Sequence, residues 1–137
     1  MEKKLVIENE IEQLTHVATF VEEMCEEQGW GHELVFNLNL VLEEAMTNVI
    51  MYAYPEGEKH EIWLTAKIQD NTLALVLEDE GAPFDPTQVP DADTTLSADE
   101  RPIGGLGIFL IRQMMDDVAY ARQEDRNVLT MTKTVNR

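Results

Sequence analysis

Glu44 and Asn48 stand four residues apart in EEAMTNVIMYAY, a run with helical spacing. At about 100° per residue, both fall on one stripe of a helix. A carboxylate beside a carboxamide suits a hard cation such as Mg²⁺ and its waters. The amide oxygen ligates the ion, and the carboxylate orients or deprotonates a nucleophile. The same spacing also describes an ordinary polar stripe, so the pair alone decides nothing. Leu42, Met46, Val49 and Ala53 form the apolar arc expected to face a sheet. The reading sets Glu44 and Asn48 roughly opposite that arc, on a stripe with Asn37, Val41 and Tyr52. Apolar Leu40 and Met51 flank the stripe, and a carboxylate among them needs partners. Glu43, next door, points elsewhere and reads as a surface charge.

Two further motifs bear on this pair. Asp79-Glu80-Gly81-Ala82-Pro83-Phe84-Asp85 follows an apolar run directly. An Asp at the end of a strand accepts a hydrogen bond from an exocyclic amine such as adenine's. A glycine two residues on lets a flat ring approach the backbone. The competing reading is a plain turn built from turn-forming residues. The second motif is Gly104-Gly105-Leu106-Gly107 before Ile-Phe-Leu-Ile. Glycines opening an apolar helix let backbone N–H groups wrap an anion at the helix N-terminus. No strand precedes these glycines and no Lys-Ser/Thr follows, so neither a dinucleotide fingerprint nor a P-loop fits.

Charge makes that anion site necessary. Ten Lys and Arg face 27 Asp and Glu, a formal net charge of -17. Nucleic acid and acidic membrane surfaces are therefore poor partners. An anionic ligand needs local positive potential from backbone dipoles or a metal ion.

The elements that must position these residues are legible from periodicity. KLVIE at Lys4–Glu8 alternates as a strand. A helix opens near Asn9 or Glu10, carries Ile11, Leu14, Val17, Val21 and Met24 at three- and four-residue steps, and ends at Gly29. A second helix runs from His32 to Ala53 and stops before Pro55. Glu61–Ile68 and Leu73–Glu78 form a hairpin about Asp70-Asn71. Residues 85–103 are polar and aperiodic, a long loop of the kind that is often functional. A helix follows over Ile108–Met115, then a hairpin of Asp117–Arg122 with Asn127–Thr134. The whole of 1–137 reads as one α+β domain, a two-layer α/β sandwich with a mixed, mostly antiparallel sheet covered on one face by three helices. The single cysteine, Cys25, sits on an apolar face and reads as a core thiol. The start MEKKLVIENEIEQ lacks a signal-peptide core, and no stretch reaches the roughly 20 apolar residues of a membrane span. The expectation is a soluble, cytoplasmic protein. His16 and His60 have no partners at ligand spacing, so no zinc is expected.

Taken in order, E-x-x-x-N on a helix, D-x-G-x-x-F, a long loop, and G-x-G opening a helix resemble the GHKL (Bergerat-fold) ATPase superfamily of gyrase, histidine kinases and MutL. More closely, the chain resembles the anti-sigma factor serine/threonine-protein kinases over about Val35 to Thr132. EEAMTNVIMYAYP is similar to their N-box, DEGAPFDP to their G1 box, and GGLGIFLIRQMMDDV to their G2 box. The resemblance implies Glu44 as general base or water-positioning residue and Asn48 as the Mg²⁺ ligand. It implies Asp79 on the adenine amine, with Gly81 giving the ring room. Gly105, Leu106 and Gly107 cradle the phosphates, and Thr130 lies near adenine. Residues 86–103 match the ATP lid, where Arg101 could meet the γ-phosphate.

The implied activity is ATP-dependent phosphorylation of a Ser or Thr on an antagonist protein, with a sigma factor as second partner and a homodimer as the assembly. The chain departs from the family pattern at Tyr52, where a His is common, and at Pro83, where a second Gly is common. Neither change removes a metal or phosphate ligand. Two alternatives remain open at this level. One is a nucleotide-gated binding module with little phosphotransfer. The other is a histidine-kinase-like ATPase domain, to whose phosphoacceptor motif His32-Glu33-Leu34 is superficially similar.

Overall fold

The structure is a computed structural model that describes residues 1–55, 57–83, 85 and 105–135. Strand β1 (Glu2–Glu8) leads through a short 3₁₀ turn (Ile11–Gln13) into helix α1 (Leu14–Gln28). Helix α2 (His32–Asn48) continues without a break into a wider π-helical turn, Val49–Ala53. Strands β2 (Glu61–Gln69) and β3 (Thr72–Asp79) follow, then helix α3 (Gly105–Met114) and strands β4 (Asp117–Gln123) and β5 (Arg126–Thr134).

The five strands form one sheet in the order β1-β2-β3-β5-β4. Every pairing is antiparallel, so the sheet is not mixed as the sequence suggests. Tight turns enforce this for β2–β3 and β4–β5. Asp70 takes φ 57° in the first, and Glu124 and Asp125 take φ 50° and 66° in the second. Positive φ at both central residues of the second turn, and at the first central residue of the first, gives the backbone twist that a two-residue hairpin needs.

Alternation along the strands assigns their faces. Ile62, Leu64, Leu73, Leu75, Leu77 and Met131 point inward and are at most 2 % exposed. Val21 and Met24 of α1, Leu38, Leu42 and Met46 of α2, and Ile108 and Ile111 of α3 complete the core beneath them. Burying each such large side chain contributes on the order of 1.5–3 kcal/mol. Cys25 is in this layer, and burial pushes its thiol up to about 11. It is a core thiol and not a nucleophile at neutral pH.

The helical run His32–Ala53 is 22 residues with a hydropathy of 1.2 in its most apolar window, enough by length and composition to cross a bilayer. Sequence reading underrated that apolarity. Burial explains part of it: Leu38, Val41, Leu42 and Met46 are fully buried, while Phe36 and Met51 of the same run are exposed.

Candidate nucleotide site

The end of α2, the end of β3 and the start of β5 converge on one narrow cleft of about 30 Å³. Ala45, Asn48, Val49 and Ala53 line it from the helix, and Leu77 and Asp79 from β3. Ile111 of α3 and Tyr120, Asn127 and Leu129 from the last hairpin close it. Apolar walls with a few convergent polar groups are the usual make-up of a small-molecule site.

Asn48 lines the cleft together with the core-facing Ala45, so it does not stand opposite the apolar arc. Val41, placed on the same stripe by the sequence reading, is fully buried. The buried arc of α2 is wider than the sequence reading drew it, since Val41 and Ala45 belong to it, and Asn48 is followed by a widened turn. Its hydrogen bonds run i to i+5, which moves Val49–Ala53 off the 100° spacing. Glu44 is half-buried and is not among the residues lining the cleft. The side chains of Glu44 and Asn48 make no hydrogen bond or ion pair among the described residues, so their oxygens are uncommitted.

Asp79 is 3 % exposed, and its environment is specific. The Gly81 N–H donates to Oδ1 at 2.9 Å, and the Asn127 carboxamide donates to the same oxygen at 2.9 Å. Among the described residues nothing donates to Oδ2. Burial raises the Asp79 pKa, while the bonds from Asn127 and Gly81 and the charge of Arg122 pull it back. Asn127 is the hub of this corner. Its Oδ1 accepts from the Tyr120 hydroxyl at 2.5 Å and from Arg122 Nη1 at 3.2 Å. Its Nδ2 also donates to the Ala82 carbonyl at 2.9 Å. Arg122 Nη1 donates to the Gly81 carbonyl at 2.7 Å, tying β4 to the loop after β3.

Gly81 has a different job from the one expected. A Cβ there would lie 2.5 Å from the Ala53 carbonyl oxygen and 2.6 Å from the Ala53 Cβ. Its missing side chain makes room for the end of the α2 run, where the Ala82 N–H donates to the Ala53 carbonyl at 2.9 Å. Tyr54 makes the second tie. Its hydroxyl accepts from the Glu80 N–H at 2.7 Å, and its ring stacks on His60 at 4.1 Å and 11°. Thus Asn48 and Asp79, from separate elements, are fixed to one another through backbone.

The remaining expectations divide. Gly105, Leu106 and Gly107 form the first turn of α3, whose leading N–H groups have no helical partner. Ile111, further along α3, lines the cleft. Thr130 is misassigned as a cleft residue. Leu129 and Met131 point inward, so Thr130 faces the other side of the sheet, between Val76 and Ala119. Leu129 takes its place in the cleft. Arg101 and the lid at 86–103 lie outside the described residues. Among the described residues no group of three or more His, Cys, Asp or Glu gathers as a metal site.

The profile of the histidine kinase-like ATPase domain family matches residues 7–133. A serine/threonine-protein kinase, BtrW of Bordetella bronchiseptica, is 31 % identical over 86 % of this chain and 83 % of its own length. The serine-protein kinase RsbW of Listeria monocytogenes is 33 % identical over 79 % of this chain and 71 % of its own length. A crystal structure of RsbU and RsbW domains from Mycobacterium tuberculosis superposes with a TM-score of 0.67 at 16 % identity. It covers 98 % of this chain, which spans 33 % of that longer protein, and it supports the fold alone. The chain belongs to the histidine kinase-like ATPase domain family, and within it to the group that contains the RsbW and BtrW serine kinases.

Proposed function

We propose that the chain is an ATP-dependent serine/threonine-protein kinase of the anti-sigma factor type. It phosphorylates an antagonist protein and regulates a sigma factor by partner switching, as a cytoplasmic homodimer. The observation that carries nucleotide binding is the Asp79 corner. A buried carboxylate that lines an apolar cleft has Oδ1 held by two donors and leaves Oδ2 without one among the described residues. That arrangement accepts a hydrogen bond from a purine amine and repels a carbonyl in the same place. Asn48 borders the same cleft, with its amide oxygen free to ligate Mg²⁺. Such an ion keeps several waters and takes its other ligands from phosphate oxygens, so one protein amide suffices. When bound, Mg²⁺ neutralises charge on the phosphates.

The chain's own contribution is positioning. The first turn of α3 offers N–H donors from Gly105, Leu106 and Gly107 to the phosphates. Glu44, on the same helix as Asn48, orients the acceptor hydroxyl and takes its proton. The uncovered sheet face, where Val76, Val128, Thr130 and Ala119 stand beside the Glu78–Arg126 ion pair, is the surface on which a homodimer would form. One feature favours a second reading, a binding module with little turnover: Glu44 stands outside the cleft lining.

Incubation with γ-labelled ATP and purified candidate antagonist proteins separates the two readings. The kinase reading expects label on a partner Ser or Thr. Binding of ATP with no label on any partner overturns it.

A further inference from the structure

Helices α1 and α2 leave a surface groove between them. Two hollows, of about 320 and 400 Å³, meet at Ile11, which lines both. One is bounded by Ile50 and Met51 of the widened turn, the other by Leu14 and Ala18 of α1 and Asn39 and Glu43 of α2. Ile11 is 46 % and Met51 56 % exposed, and both line the same hollow. Exposed apolar side chains side by side and rimmed by polar residues mark an interaction surface.

Charge selects the occupant. Glu10, Glu12 and Glu43 line the groove, and their side chains make no ion pair among the described residues. Lys59 is the single cation among the lining residues. The same face of a second copy of this chain would set carboxylates against carboxylates, which disfavours that occupant. We propose that the groove docks a basic amphipathic helix of a partner protein. Its apolar side rests on Ile11, Leu14 and Met51, and its Lys or Arg side chains meet Glu12 and Glu43. The inference rests on the kinase reading, which requires a protein partner, and adds where and by what chemistry that partner lands. The groove ends at Met51, one helical turn from Asn48, so a docked partner lies beside the helix that carries Glu44.

The test uses the full chain and a labelled peptide of about 18 residues, five helical turns, with Leu at i, i+3, i+4 spacing and Lys elsewhere. Fluorescence anisotropy should report binding to wild type and to Glu23→Lys/Glu26→Lys, a charge change outside the groove. Glu12→Lys/Glu43→Lys, of equal net charge, should bind about tenfold more weakly or worse. Ile11→Asp should do the same. Amide exchange of wild type should slow over 11–18 and 36–51 when the peptide is added.

Equal weakening in both double variants, equal binding of a Leu/Glu peptide, protection elsewhere, or no binding overturns the proposal. MgATP binding, measured alongside by calorimetry, should be unchanged in every variant. If wild type binds MgATP but not the peptide, the groove proposal fails alone. If it binds the peptide but not MgATP, the kinase reading fails and the docking result stands.

Discussion

Asp79 and Asn127 face one another across β3 and β5, and the Asn127 amide donates to Asp79 Oδ1 at 2.9 Å. Both residues point to the inner face of the sheet, 3 % and 5 % exposed. The pairing occupies Oδ1 and leaves Oδ2 without a donor among the described residues. It also works against the rise that burial causes in the Asp79 pKa, because a donor on Oδ1 favours the charged form.

Removing that donor should show in the pH dependence of stability. Burial already lifts the folded-state pKa of Asp79 above its ordinary 3.8. A raised acid pKa means the folded state holds the proton longer, so stability falls as pH rises through the window above 3.8. Asn127→Ala extends that window upward. Its unfolding free energy should fall below that of wild type at every pH, because the bonds with Tyr120, Arg122 and Ala82 are lost too, and the gap should be wider at pH 7 than in acid by about 1–3 kcal/mol. A gap that does not widen towards neutral pH would show that Asn127 does not support the charge.

Gly81→Ala tests the junction between the α2 run and the loop after β3. A Cβ 2.5 Å from a backbone oxygen cannot be absorbed by a rotamer change. Overpacking of this kind costs about 1–3 kcal/mol. Denaturant unfolding should show that loss, and nucleotide affinity should fall with it because Asp79 and Asn48 separate. A variant of wild-type stability would mean the junction is looser than the geometry indicates.

Asn48→Ala should remove the Mg²⁺-dependent part of ATP binding. Titration of ATP with Mg²⁺ and with EDTA should differ for wild type and coincide for the variant. Retention of the full Mg²⁺ effect would move the metal ligand elsewhere.

Glu44→Gln should separate binding from chemistry. MgATP affinity should stay within about twofold, while transfer to the antagonist protein falls by about 10²- to 10⁴-fold, the usual worth of a general base. Single-turnover transfer with labelled ATP reads this directly. An undiminished rate would remove Glu44 from the chemistry.

Much of this site was legible in the sequence, and the failures have physical causes. Helices α1 and α2 declared themselves through apolar steps of three and four, and Gly29 ended α1 with φ 73°. Asp79 was legible because a carboxylate directly after an apolar strand is conspicuous. Asn127 was not, since 48 residues separate it from Asp79 and only the strand register joins them. Thr130 failed by parity. The alternation of Leu129 and Met131 with Thr130 and Thr132 already assigns Leu129 inward, and that signal could have corrected it. The placement of Asn48 suffered because the buried arc is wider than the apolar residues that defined it, taking in Val41 and Ala45 on the side of Asn48. Gly81 was read as space for a ligand, but the space it makes is for Ala53, a contact no local pattern encodes.

The most direct test of the account is calorimetric titration of MgATP into wild type and Asp79→Asn. The asparagine keeps an oxygen for Gly81 and Asn127 and replaces Oδ2 with an amide donor. It also relieves a buried charge, so the variant should be at least as stable as wild type at pH 7. Affinity should nevertheless fall by about 10- to 150-fold, the worth of a hydrogen bond to a charged group. A folded Asp79→Asn protein that binds MgATP as tightly as wild type would contradict the site.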